Sequence, residues 1–232
     1  MNALIKKGML ATVLAMSVNT AMAAQSIDIK VTGKILPSSC TPSFPSGGGI
    51  ADFGTMKVAS LNSTSMTPLA DLKEIPVTIN CEEATRVAVK FTDARDDSSP
   101  TESVKMGNGF SGSPFNMFGL GMYNDKKIGA YTLALFRNQG ANTNGNGDSL
   151  YPLLSIDGGE TWLVKGTDYM QINSDNSEIY AFTLDTANGV PSPESKINFK
   201  VAVSATINPT NDLNVTDELT LDGLTNIELV YL

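Results

Sequence analysis

The stretch Gln25–Cys40, QSIDIKVTGKILPSSC, decides how the rest of the chain is read. Ile27, Ile29, Val31, Gly33 and Ile35 share one parity, and Asp28, Lys30, Thr32 and Lys34 share the other. Side chains of an extended backbone alternate between two faces, so the stretch has the pattern of an amphipathic strand with one apolar face. Gly33 brings no side chain to the apolar row and suits a point where two backbones approach closely. The strand comes before the first cysteine, and two arrangements accommodate it. It is the first strand of a complete sandwich, paired within its own chain, or it is a strand offered to another molecule. An unpaired amphipathic strand left in water is an aggregation hazard.

What precedes it has the pattern of an export signal. Lys6 and Lys7 give a basic start, Met9 to Val18 is a short apolar run, and Ala21-Met22-Ala23 places small residues where a signal peptidase reads them. The apolar run is too short to span a bilayer. Residues 1–23 are therefore expected to be a signal peptide, with Ala24 as the second choice for its end. Residues 24–36 then form an N-terminal extension and 37–232 a single domain. The exported chain carries 14 basic and 24 acidic residues, a net charge of −10. That balance argues against nucleic acid and anionic membrane surfaces as partners. The sequence has no histidine, which excludes histidine-based catalytic triads and histidine metal sites. Its two cysteines, Cys40 and Cys81, are expected to form one structural disulfide in an exported protein. Two buried free thiols are the alternative.

Period-two alternation runs through the remainder. EIPVTINC aligns Ile75, Val77, Ile79 and Cys81, and RVAVKF aligns Val87, Val89 and Phe91. NFKVAVSATI aligns Phe199, Val201, Val203, Ala205 and Ile207, and NIELVYL aligns Ile227, Leu229 and Tyr231. MFGLGMY and YTLALF read as two more strands around the turn-like NDKKIG. Extending the last pattern back to Leu219 predicts one long C-terminal strand. No stretch sustains a helical period, and Gly, Asn, Ser and Pro cluster between the strands. The fold class is all-β, a single sandwich domain.

The order of these features resembles a subunit of a chaperone–usher fimbria, a pilin. IDIKVTGKIL leads to Cys40, and IADFGTMKV resembles the segment that follows the first cysteine of pilins. KEIPVTINC places the second cysteine at a strand end, VAVKFTD resembles the next core strand, and FGLGMYNDKKIG resembles the pilin strand and turn that follow. The chain ends with a penultimate Tyr231. The resemblance implies an incomplete immunoglobulin-like β-sandwich that lacks its last strand and is completed by a donated one. Ile27, Ile29, Val31, Gly33 and Ile35 would be the donor strand, and Ile227, Leu229 and Tyr231 would edge the acceptor groove. Strand addition of this kind is a known recognition mode, with chaperone–pilin complementation among its established examples. The implied partners are neighbouring fimbrial subunits, a periplasmic chaperone and an outer-membrane usher, and the implied location is the cell surface. No cofactor and no catalytic residue is implied. Two departures stand out. Pilins commonly carry glycine fourteenth from the end, where this chain has Leu219 and the nearest glycine is Gly223. The chain is also longer than common pilins, with the extra length expected between about Asn138 and Ser177.

That extra stretch carries rival signals. SIDGGETW, Ser155 to Trp162, fits the Asp-box hairpin pattern of sialidase-like propellers, and Arg86, Arg95 and Arg137 match the number of arginines such an enzyme needs for a carboxylate. A single copy in a chain too short for a six-bladed propeller favours a structural hairpin. Trp162, Tyr151 and Tyr169 among Asn- and Gly-rich loops allow a shallow glycan site, so a fimbria-associated adhesin is the alternative function. The acidic stretches Asp93–Asp97 and Asn208–Gly223 lack EF-hand spacing and are expected to be solvated loops.

Overall fold

The computed structural model describes residues 29–34, 39–165 and 168–232. Pro37–Leu232 forms one compact unit. Along the chain its strands are β1 (Cys40–Ser43), β2 (Thr67–Pro68), β3 (Lys73–Thr85), β4 (Val87–Asp93), β5 (Phe118–Gly119), β6 (Met122–Tyr123) and β7 (Lys126–Lys127). They continue as β8 (Gly129–Phe136), β9 (Thr143–Asn144), β10 (Tyr151–Ser155), β11 (Tyr169–Gln171), β12 (Ile179–Thr183), β13 (Glu194–Ile207) and β14 (Thr225–Tyr231). The fold is all-β, with one α-helical turn among the described residues, α1 (Thr210–Leu213). One sheet has the order β1-β3-β13-β8-β11, with β2, β5 and β9 as short additions, and a second has the order β10-β12-β4-β14. All pairings in both are antiparallel.

The alternating patterns become the core. Phe199, Val201, Val203, Ala205 and Ile207 of β13, Val77 and Ile79 of β3, and Val87, Val89 and Phe91 of β4 are all buried in one cluster with Tyr180 and Phe182 of β12. Phe182 of the smaller sheet meets Phe199 of the larger at 5.0 Å between ring centroids, so the two sheets face each other across this cluster. Strand β8 is buried at every position. Its second face, with Ala134 and Phe136, packs with Ala202 against Met106 and Phe110. A strand covered on both faces loses the simple alternation of a half-exposed one.

Local chemistry explains where strands stop. MFGLGMY is two short strands, because Gly121 between them takes φ +88. Asn124 and Asp125, at φ 46 and 61, form the tight turn joining β6 to β7. Two consecutive positive φ values are what a two-residue hairpin with the right-handed strand twist demands. The extra stretch from 138 to 177 does not hang outside the fold. It supplies β9 and β11 to the larger sheet and β10 to the smaller.

The long C-terminal strand expected from Leu219 is corrected. The strand begins at Thr225, and residues 217–224 form no ladder. Asp222 turns its amide to the Leu120 carbonyl at 2.9 Å and its carboxylate to Arg95 at 2.9 Å, which holds the segment off the line of β14. Residues 29–34 contain no strand or helix and are exposed throughout, with Ile29 and Val31 at 89% and 92%. The amphipathic pattern there has no ladder of its own. Ile27, Ile35 and the expected signal peptide lie outside the described residues.

Candidate functional site: an apolar groove beside the last strand

Among the described residues strand β14 pairs only with β4, in register from Thr225↔Asp93 to Tyr231↔Val87. Just beyond its ends, Ala94 N–H donates to the Leu224 carbonyl at 2.9 Å and Leu232 N–H donates to the Arg86 carbonyl at 3.1 Å. Even-numbered residues therefore turn their backbone groups toward β4. In an antiparallel ladder that orientation alternates. Thr225, Ile227, Leu229 and Tyr231 accordingly turn their N–H and C=O groups to the outer edge, where no strand pairs with them among the described residues.

Beside that edge the two sheets part around a groove of about 990 Å³. Its floor is core: Phe91 of β4, Tyr131 and Leu133 of β8, and Val201, Val203 and Ile207 of β13. Thr225 and Ile227 of β14 form one wall. The rims are two irregular segments. One runs from Phe44 to Leu61 and contributes Phe53 and Met56, and the other runs from Val215 to Leu224 and contributes Leu219 and Leu221. Phe53, Met56, Leu219 and Leu221 are half-buried against the main core cluster, so the groove is a continuation of the core that opens to solvent.

Of the expected acceptor residues, Ile227 lines the groove and Leu229 packs against the core beside it. Tyr231 is half exposed, and its hydroxyl accepts the Cys40 N–H at 2.8 Å. Cys40 and Cys81 form a disulfide and lie directly opposite in the β1–β3 register. Glu82 N–H donates to the Ser39 carbonyl at 3.0 Å in the next pair, so the Cys40 N–H points away from β3 and toward Tyr231. Leu219, read in the sequence as a missing glycine, is a rim residue. The close approach falls at Gly223, where a Cβ would lie 2.7 Å from the Tyr131 ring. The rim residues Phe44, Phe53 and Met56 were not singled out in the sequence, because an irregular segment has no period. IADFGTMKV, which includes two of them, was the available signal.

The rival signals are scattered. Arg86 and Arg95 flank opposite ends of β4, where Arg86 donates to the Pro191 carbonyl at 2.9 Å and Arg95 pairs with Asp222. Arg137 donates to the Lys165 carbonyl at 3.2 Å. The Asp-box hairpin is self-contained. Asp157 accepts from the Ser155 hydroxyl at 2.6 Å and from the Thr161 N–H at 2.9 Å, and these bonds hold its carboxyl well below the usual aspartate range. Trp162 donates its indole N–H to the Gly159 carbonyl at 3.1 Å and, like Val230, packs against the cluster of Ala88, Ile179 and Ala181. Asp93 is buried and accepts from the Gly119 and Arg95 amides, both at 2.8 Å, while burial raises its pKa.

A family described as "Protein of unknown function (DUF1120)" matches residues 29–132. "Uncharacterized protein YhcF" of Escherichia coli strain K12 is 31% identical over 231 residues, covering 91% of this chain and 94% of the relative. The chain belongs to the DUF1120 family. "Protein GltF" of the same organism is 27% identical over 240 residues, covering 94% of both chains. The DUF1120 match begins at Ile29, inside the amphipathic N-terminal stretch, and takes in β1, the first groove rim, β3 and β4.

Proposed function

We propose that this protein is a structural subunit of a surface fimbria, an incomplete immunoglobulin-like sandwich that polymerises by accepting the N-terminal strand of a neighbouring copy. The observation that carries the reading is the outer edge of β14, unpaired among the described residues, beside an open apolar groove. An edge of that kind is a template for strand addition, in which main-chain hydrogen bonds give affinity and alternate side chains give specificity. The candidate guest matches it. Ile29 to Ile35 is seven residues with Ile29, Val31, Gly33 and Ile35 on alternate positions, and β14 is also seven residues long. Burying Ile29, Val31 and Ile35 would contribute about 1.5–3 kcal/mol each. In this reading residues 1–23 are removed on export, residues 24–36 are the donor, a periplasmic chaperone holds the open groove before assembly, and an outer-membrane usher delivers the subunit to the surface. The work is mechanical, and no catalytic step is involved.

The test compares the chain starting at Ala24 with one that lacks residues 24–35. The longer form is expected to build oligomers, and the shorter to be able to end a fibre but not extend one. A peptide of residues 24–36 should raise the melting temperature of the shorter form, and Ile29→Asp in the peptide should abolish the gain, because an unpaired buried carboxylate costs several kcal/mol. A monomeric chain from Ala24 with residues 27–35 protected from hydrogen exchange at every dilution would overturn the reading.

A further inference from the structure

The groove has a charge sign of its own. Asp52, Asp217 and Glu218 are the charged side chains that line it among the described residues, all acidic and all exposed. None of them is in an ion pair among the described residues. Among the described residues Asp52 accepts only the nearby Gly54 N–H at 2.7 Å, and Asp217 accepts the Thr216 hydroxyl at 3.1 Å. The basic groups near the rims are mostly engaged. Arg95 is held by Asp222, and Lys73 lies 3.4 Å from Asp71 and over the Phe53 ring. Lys57 flanks the rim between Met56 and Val58, so apart from the Arg95–Asp222 pair the rim sets three acidic charges against one basic charge.

The candidate guest has the opposite sign. Residues 24–36 carry Lys30 and Lys34 against Asp28, a net +1. Residues 37–232 carry 12 basic and 23 acidic residues, a net −11. Both lysines are on the parity opposite to the apolar row, so a strand that buries Ile29 and Val31 turns Lys30 and Lys34 outward at the groove mouth. Their long stems let the ammonium groups reach sideways to a rim.

We propose that the acidic rim selects the strand of a second copy of this chain, through Lys30 and Lys34, over strands whose outward face is acidic. This rests on the strand-acceptor reading and makes the subunit self-polymerising by charge. Complementary charge acts chiefly on the encounter rate, typically by 10–10³-fold, and fades as salt screens it.

The test is charge exchange in the chain starting at Ala24, with assembly followed by light scattering. Lys30→Glu with Lys34→Glu makes an acidic donor, and Asp52→Lys with Asp217→Lys and Glu218→Lys makes a basic rim. At low salt each variant alone is expected to assemble at least about tenfold more slowly than the parent. An equimolar mixture should recover most of the rate, because each donor then finds a groove of opposite sign. The gap should close in about 0.5 M salt, where the screening length is only about 4 Å. The donor variant lies outside the 37–232 domain and decides the matter even if the rim variant misfolds. An acidic donor that assembles at the parental rate at low salt, or a mixture with a folded rim variant that is no faster than its parts, overturns the selection. If the chain without residues 24–35 assembles as well as the parent, the strand-acceptor reading itself is wrong and this inference falls with it.

Discussion

The Cys40 amide donates to the Tyr231 hydroxyl across 2.8 Å and 191 positions of sequence. The bond ties the edge strand of one sheet, β1, to the edge strand of the other, β14. The groove lining includes Thr225 and Ile227 of β14 but not Leu229 or Tyr231, so the groove is open where this clip is absent. Tyr231→Phe removes only the acceptor. The expected loss is about 0.5–1.5 kcal/mol, the usual net worth of one hydrogen bond. A urea-denaturation midpoint that does not move would mean that water replaces the hydroxyl at no cost.

The disulfide closes a loop of 41 positions. Constraint of the unfolded chain should make it worth about 4 kcal/mol. Cys40→Ser with Cys81→Ser, or reduction of the native protein, is expected to lower unfolding stability by that order. Equilibrium unfolding with and without reductant measures it.

Asp157 gives an acid-sensitive hairpin. Bonds from Ser155 and Thr161 depress its folded pKa below the ordinary value of 3.8. A depressed carboxylate stabilises the folded form fully above its unfolded pKa, and that stabilisation is lost as pH falls toward the folded one. The hairpin should therefore hold at neutral pH and loosen progressively below about pH 3.8. Trp162, the single tryptophan of the chain, packs beneath it and reports the change by fluorescence. Asp157→Ala should show the acid-form spectrum at neutral pH and leave assembly intact. An unchanged spectrum would contradict the assigned bonds.

Gly223 stands against an aromatic wall. A Cβ there would meet Tyr131 at 2.7 Å, and that ring is stacked on Phe118 at 5.3 Å with its hydroxyl 2.6 Å from Thr225. Neither partner lets the ring swing freely. Gly223→Val is expected to cost about 1–3 kcal/mol, the usual range for overpacking, and to weaken binding of the 24–36 peptide by displacing the rim. Thermal unfolding and peptide titration on the same sample check both effects.

The alternating apolar residues of β3, β4, β13 and β14 were legible in the sequence, because period two follows from strand geometry and one buried face selects apolar residues at every second position. The disulfide was legible from the expected export signal and the count of two cysteines. The N-terminal amphipathic pattern was legible too, but a pattern states only that a face wants covering. What covers it is a matter of partners. Tertiary structure decided what no period encodes. The strand expected from Leu219 starts at Thr225, because Arg95 and Leu120, far away in sequence, hold Asp222 aside. Residues 138–177 supply strands to both sheets, because ladders form between segments remote in sequence. The groove exists only where β14, β8, β13 and two irregular rims meet. Local propensity set the strands, and long-range pairing set which edge was left open.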